Sequence, residues 1–122
     1  MTLNKKVVET YQASLGDLDW ASVASCLTDD GERAEWADGF RASGVPVRGK
    51  AAVIQDMEAP RQFEIRAARM AEQNDVVVAE CMVRVPLPEG RTFVGQVCAV
   101  YELQDGGVKR MSSFVAENKH PT

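Results

Sequence analysis

Glu35 stands beside Trp36, and Asp38 follows three residues after Glu35. A carboxylate set into an aromatic, apolar wall loses hydration in its charged form, which raises its affinity for a proton into the range useful to a general base. Glu35 is the first candidate for that role, and Asp38 on the adjoining loop is the second. The plain alternative is a solvated Glu on an edge strand, and the direction of the side chain decides between the two. Other chemistries are poorly supplied. Cys26, Cys81 and Cys98 are odd in number and lack C-x-x-C spacing, so neither a disulfide framework nor a zinc site is expected. All three are expected to be small buried hydrophobes. His120 is the sole histidine and lies two residues from the end, where fraying is expected, which disfavours a His-based triad or a multi-His metal site. With no glycine-rich phosphate loop leading into a helix, no metal or organic cofactor is expected.

At 122 residues the chain is expected to form one domain with a real core. Hydrophobic content of 45% and charged content of 26% are ordinary for a soluble globular protein. A net charge of −4 with scattered Lys and Arg disfavours nucleic acid as a partner. No apolar run is long enough to span a bilayer, and MTLNKKVVE lacks the apolar core of a signal peptide, so a cytoplasmic protein without membrane association is expected.

The elements that must position these residues centre on Arg91 to Ala116. RTFVGQVCAVYELQ is long and β-branched, and VKRMSSFVA answers it across Asp105-Gly106-Gly107, a hairpin signal because Gly accepts the positive φ of a tight turn. Phe93, Val97 and Tyr101 would face one way and Val94, Cys98 and Val100 the other, so both faces need cover. Upstream, Thr2 caps a helix carrying Leu3, Val7, Val8, Tyr11 and Leu15 and ending near Gly16. Asp19 caps a shorter second helix with Trp20, Val23, Ala24 and Leu27 on its buried stripe, broken by Thr28-Asp29-Asp30-Gly31. Glu32 to Trp36 is a short extended piece, Asp38 to Pro46 a loop, and Gly49-Lys50 opens a third helix that Pro60 ends. Alternation through Phe63, Ile65 and Ala67 marks a strand, Asn74-Asp75 a turn, Val76 to Val85 a strand, and Pro86 to Gly90 a hairpin loop. This order gives an α+β fold with antiparallel connections.

Several of these stretches together resemble one family. Val8 to Trp20 (VETYQASLGDLDW) is similar to the opening helix and Asp-Trp turn of the nuclear transport factor 2-like superfamily. Leu27-Thr28-Asp29-Asp30 resembles its Asp-Asp turn, Val47 to Val53 its Gly-led third helix, and Asp105 to Val108 its last hairpin. The resemblance implies a cone: a strongly curved antiparallel sheet wrapped around three N-terminal helices, with a pocket between them and dimerisation through the outer sheet face. Within the superfamily the chain is most similar to ketosteroid isomerases and SnoaL-like polyketide cyclases. Ketosteroid isomerase is the standard case of a carboxylate base paired with an oxyanion hole. The resemblance places Tyr11 at the isomerase's oxyanion-binding tyrosine and Glu35 at its base, whereas Ala99 stands where the second, protonated acid is kept. Epoxide hydrolases of the superfamily need an Arg and two Asp on later strands, and Cys81, Val83 and Ser113 occupy those places.

The expected ligand-lining set is Trp36, Phe40, Met57, Met82, Val97, Ala99 and Phe114, around a small hydrophobic molecule. Methionines adapt to irregular cavities, though most are core, and a small residue such as Ala99 marks either ligand space or a closely packed helix. Val94, Cys98, Val100 and Met82 or Val83, on a face the helices cannot cover, point to a homodimer. Two functions fit: a cofactor-free isomerase or cyclase abstracting a proton next to a carbonyl, or a ligand-binding or assembly module without chemistry.

Overall fold

The computed structural model describes residues 2–37, 44–57 and 61–117. In chain order these form α1 (Leu3–Gly16), α2 (Trp20–Ser25), β1 (Leu27–Ala37), β2 (Val47–Arg48), α3 (Lys50–Asp56), β3 (Glu64–Gln73), β4 (Val76–Pro86), a single 3-10 turn (Pro88–Gly90), β5 (Thr92–Gln104) and β6 (Gly107–Glu117). The caps are where local chemistry puts them. The Thr2 side chain accepts from the Lys5 N–H at 3.2 Å, and Asp19 Oδ1 accepts from the Ser22 N–H at 3.3 Å. Each satisfies a donor that has no partner within its own helix.

The strands form one open sheet in the order β2-β1-β6-β5-β4-β3. All neighbouring pairs are antiparallel except β1 with β6, which run parallel, so the sheet is mixed where tight-turn connectivity predicted purely antiparallel pairing. β1 enters from the helices and joins the last strand across the whole chain, a pairing that no local turn announces. β1 is also longer than the piece expected from Glu32 to Trp36. Its register with β6 shifts between Leu27 and Glu32, so the Thr28-Asp29-Asp30-Gly31 stretch is an irregularity inside a strand. Leu27, expected on the helix stripe, is buried as the first residue of that strand.

The sheet bends around α1, which touches β3, β4 and β6, while α3 packs on β1. Gly16 makes the tightest of these joints. A Cβ there would sit 2.7 Å from the Phe63 carbonyl oxygen, and the Phe63 N–H donates to the Gly16 carbonyl at 2.9 Å. Only a residue without a side chain lets α1 and the approach to β3 meet this closely. Val8, Val23, Val53, Val77 and Val108 are fully buried between helices and sheet.

Strand alternation sorts the remaining expectations. On β4, Val77, Ala79, Cys81 and Val83 face in and Met82 faces out, half exposed. On β5, Phe93, Ala99, Tyr101 and Leu103 face in. Cys98 is exposed, which corrects the expectation that all three cysteines are buried: it occupies an outward position of a strand covered on one face only. Among the described residues, no helix is long and apolar enough to cross a membrane.

Candidate functional site

A cavity of about 280 Å³ lies between the helices and the inner face of the sheet. α1 contributes Tyr11 and Leu15, the end of α3 contributes Met57, and β1 contributes Arg33 and Glu35. Val97, Ala99 and Tyr101 of β5, with Ser113 and Val115 of β6, form the floor. Phe63, Ile65, Val83, Val85, Leu87 and Phe93 form the remaining, apolar wall.

Arg33 and Glu35 share this wall because they are two apart on a strand. One terminal nitrogen of Arg33, Nη2, bonds Glu35 Oε2, and Nη1 donates to Asp56 Oδ2 of α3 at 3.0 Å. Exposure falls steeply towards the guanidinium: the Arg33 side chain is 15% exposed, against 31% for Glu35 and 44% for Asp56. Burial opposes the charge on Arg33, but Glu35, Tyr11 and Asp56 outweigh it and hold its pKa above the ordinary value.

Tyr11 is 2% exposed, and its hydroxyl lies 3.0 Å from the Met57 sulfur and 3.1 Å from the Met111 sulfur. Thioether sulfur is a weak acceptor, so the hydroxyl's hydrogen is weakly held, while its oxygen meets the Arg33 guanidinium. Next to it, edge to face at 5.7 Å between ring centroids, stands Tyr101. Gln12, also buried, donates its Nε2 hydrogens to the Tyr101 hydroxyl at 3.1 Å and to Cys81 Sγ at 3.2 Å.

Burial pushes the Tyr11 pKa up from 10.0 to about 12, with Glu35 adding to the rise and Arg33 opposing it. Burial and the neighbouring Tyr11 raise that of Tyr101 too. In the unfolded chain a tyrosine ionises near pH 10, whereas folded Tyr11 keeps its proton to about 12. Above pH 10 the unfolded state therefore binds fewer protons, and the stability present below that pH is lost as the pH rises through about 12. Tyr11 alone accounts for up to about 3 kcal/mol. Urea midpoints should fall steeply from about pH 10 upward and fall less in Tyr11→Phe; equal midpoints across that range would contradict this.

The structure brings Tyr11, Glu35, Met57, Val97 and Ala99 to one cavity. It sends Trp36, Met82 and Phe114 to the opposite face. Trp36 is 40% exposed and stacks on Phe114 with centroids 4.9 Å apart. Glu35 and Trp36 are consecutive on a strand and so cannot share a face, and what Glu35 meets is the Arg33 guanidinium in place of an indole wall. Asp38 and Phe40 lie outside the described residues, as do Pro60 and His120. Arg33 and Tyr101 of the lining, and Asp56 and Gln12, which bond them from behind it, had not been assigned a role from sequence. The Arg33-Ala34-Glu35 spacing carried a readable signal for the first of these, two charges on one strand face. Among the described residues, no group of three or more His, Cys, Asp or Glu could hold a metal ion.

Residues 8–111 match the SnoaL-like domain family. The chain belongs to that family. A comparison with curated proteins finds no match. Solved structures do match. A SnoaL-like polyketide cyclase assignment from Jannaschia superposes with a TM-score of 0.78 at 18% identity, over 93% of this chain and 85% of that one. A ketosteroid isomerase assignment from Kribbella flavida gives 0.76 at 16% identity, over 98% and 82%. An epoxide hydrolase from M. tuberculosis gives 0.74 at 22% identity, over 93% and 82%. At these identities the likeness establishes the fold of the SnoaL-like domain, nuclear transport factor 2-like as its sequence motifs imply.

Proposed function

We propose that this SnoaL-like domain is a cofactor-free enzyme of the isomerase or cyclase kind, acting on a small apolar carbonyl compound. Glu35 removes a proton from the carbon next to the carbonyl, and the C–H electron pair moves onto the carbonyl oxygen as an enolate. Tyr11 donates a hydrogen bond to that oxygen. Returning the proton to another carbon isomerises the substrate, and attack of the enolate carbon on a second carbonyl closes a ring. The observation that carries this reading is that Tyr11 and Glu35 line the same cavity. Two further features support it. A carbonyl oxygen outcompetes two thioether sulfurs for the Tyr11 hydrogen. Arg33 bonds Glu35 Oε2 and so fixes the carboxylate's orientation.

The second reading, a ligand-binding module without chemistry, draws on the same ion pair: Glu35 and Asp56 bracketing Arg33 is also how a purely structural bridge is built. Incubating the protein with a panel of bicyclic ketones in D₂O separates the two. Deuterium entering the carbon beside the carbonyl, detected by NMR, supports the enzyme; binding without exchange across the panel supports the module. Trp36 fluorescence should not respond to such binding, because the side chain lies on the outer face.

That outer face fits a second copy of the chain. Val78, Met82, Trp36 and Phe114 are all at least 36% exposed there, and large apolar groups gathered on one sheet face are rarely left to water. Light scattering should give twice the chain mass, and Phe114→Glu should return it to one. A single-chain mass for the unaltered protein at high micromolar concentration would rule the dimer out.

A further inference from the structure

We infer that the cavity selects ligands carrying two oxygen acceptors, the second of which docks on Tyr101, with Gln12 as the residue that aims it. This rests on the cavity being a ligand site, as proposed above. Tyr101 lines the same cavity as Tyr11, two residues beyond Ala99 on the inward face of β5, and is 3% exposed. A phenol hydroxyl has one hydrogen to give. The Gln12 amide donates to the Tyr101 oxygen at 3.1 Å, so Gln12 occupies an acceptor position and the hydroxyl's own hydrogen must point elsewhere. Among the described residues no hydrogen bond takes it. Gln12 is itself 4% exposed, and its two contacts fix the direction from which its amide meets the Tyr101 oxygen.

The direction of the two hydroxyls makes this a separate subsite. That of Tyr11 is turned to Met57 at the end of α3 and Met111 on β6. That of Tyr101 is turned to Gln12 on α1, whose amide also reaches Cys81 on β4. Between them the floor is apolar, formed by Val97 and Ala99. A ligand that uses both donors therefore has a carbonyl at Tyr11 and a second acceptor, such as a ketone or ether oxygen, across an apolar skeleton. A ligand with a single oxygen answers only one of the two donors and forgoes the affinity that the second hydrogen bond adds.

The test compares a bicyclic monoketone with the diketone of the same carbon skeleton, by calorimetry on the intact protein. The unaltered chain should bind the diketone about tenfold more tightly. Tyr101→Phe, which keeps the ring and its edge contact with Tyr11, should bring that ratio close to one, the diketone losing more affinity than the monoketone. Gln12→Met should reduce the ratio in the same direction. A ratio near one in the unaltered protein, an equal loss for both ketones in Tyr101→Phe, or no binding of either overturns the inference. Deuterium exchange recorded on the same samples keeps the two proposals apart. Exchange without a diketone preference leaves the enzyme reading standing and removes this one, and the reverse result does the opposite.

Discussion

Glu35→Gln should slow deuterium exchange and turnover of any ketone this domain processes by about 10²–10⁴-fold, the usual contribution of a positioned general base. The amide keeps the shape of the carboxylate but offers no lone pair basic enough to take a proton from carbon. Ligand affinity should stay within a few-fold, because the apolar wall and the Tyr11 hydroxyl are untouched. The expected signature is thus a fall in kcat with KM nearly constant, the pattern of a group that acts mainly in the transition state. Tyr11→Phe should also lower kcat, by less, because Arg33 and Ser113 line the same cavity and remain able to donate. Exchange persisting at the original rate in Glu35→Gln would remove Glu35 from the chemistry and leave the binding module as the better account.

Arg33→Ala should be the most destabilising change in the cavity that leaves the apolar core untouched. It removes a cation that bridges Glu35 and Asp56 and leaves their carboxylates facing the space it filled. Breaking a fully buried pair from one side costs about 3–5 kcal/mol. Water reaches both carboxylates here, at 31% and 44% exposure, so a loss of about 1–3 kcal/mol is expected. The urea midpoint should drop with an unchanged slope. Arg33→Lys should recover only part of it, since a single ammonium cannot fork to both partners. A midpoint for Arg33→Ala equal to that of the unaltered chain would mean the bridge contributes nothing to the fold.

What was legible in the sequence was what depends on neighbours in the chain. Thr2 and Asp19 announced their helices because capping is a three-residue affair, and Asp105-Gly106 announced its hairpin for the same reason. The inward set on β5 followed from strict alternation. The parallel β1–β6 pairing and the two-residue β2 were missed, because each depends on residues far apart in the sequence. The same distance hid Asp56, whose role exists only because α3 packs on β1. Trp36 was misplaced for a different reason: adjacency in sequence was taken as adjacency in space, and alternation in a strand makes those opposites. Tyr101 was placed on the correct face, but its link to Gln12 joins a helix to a strand and has no local signature.

The parallel joint between the first strand and the last has a consequence for how the protein comes into being. Glu35 pairs in register with Ser113, so the strand bearing the proposed base is pinned in place by a strand far along the chain from it. Contacts of such long sequence separation form late, after chain-closure entropy has been overcome. Until β6 arrives, β1 has only β2 as a strand partner, and Arg33 and Glu35 stand at the edge of an incomplete sheet. The cavity that Glu35 and Ser113 line therefore stays incomplete until β6 docks on β1, and its formation coincides with completion of the sheet.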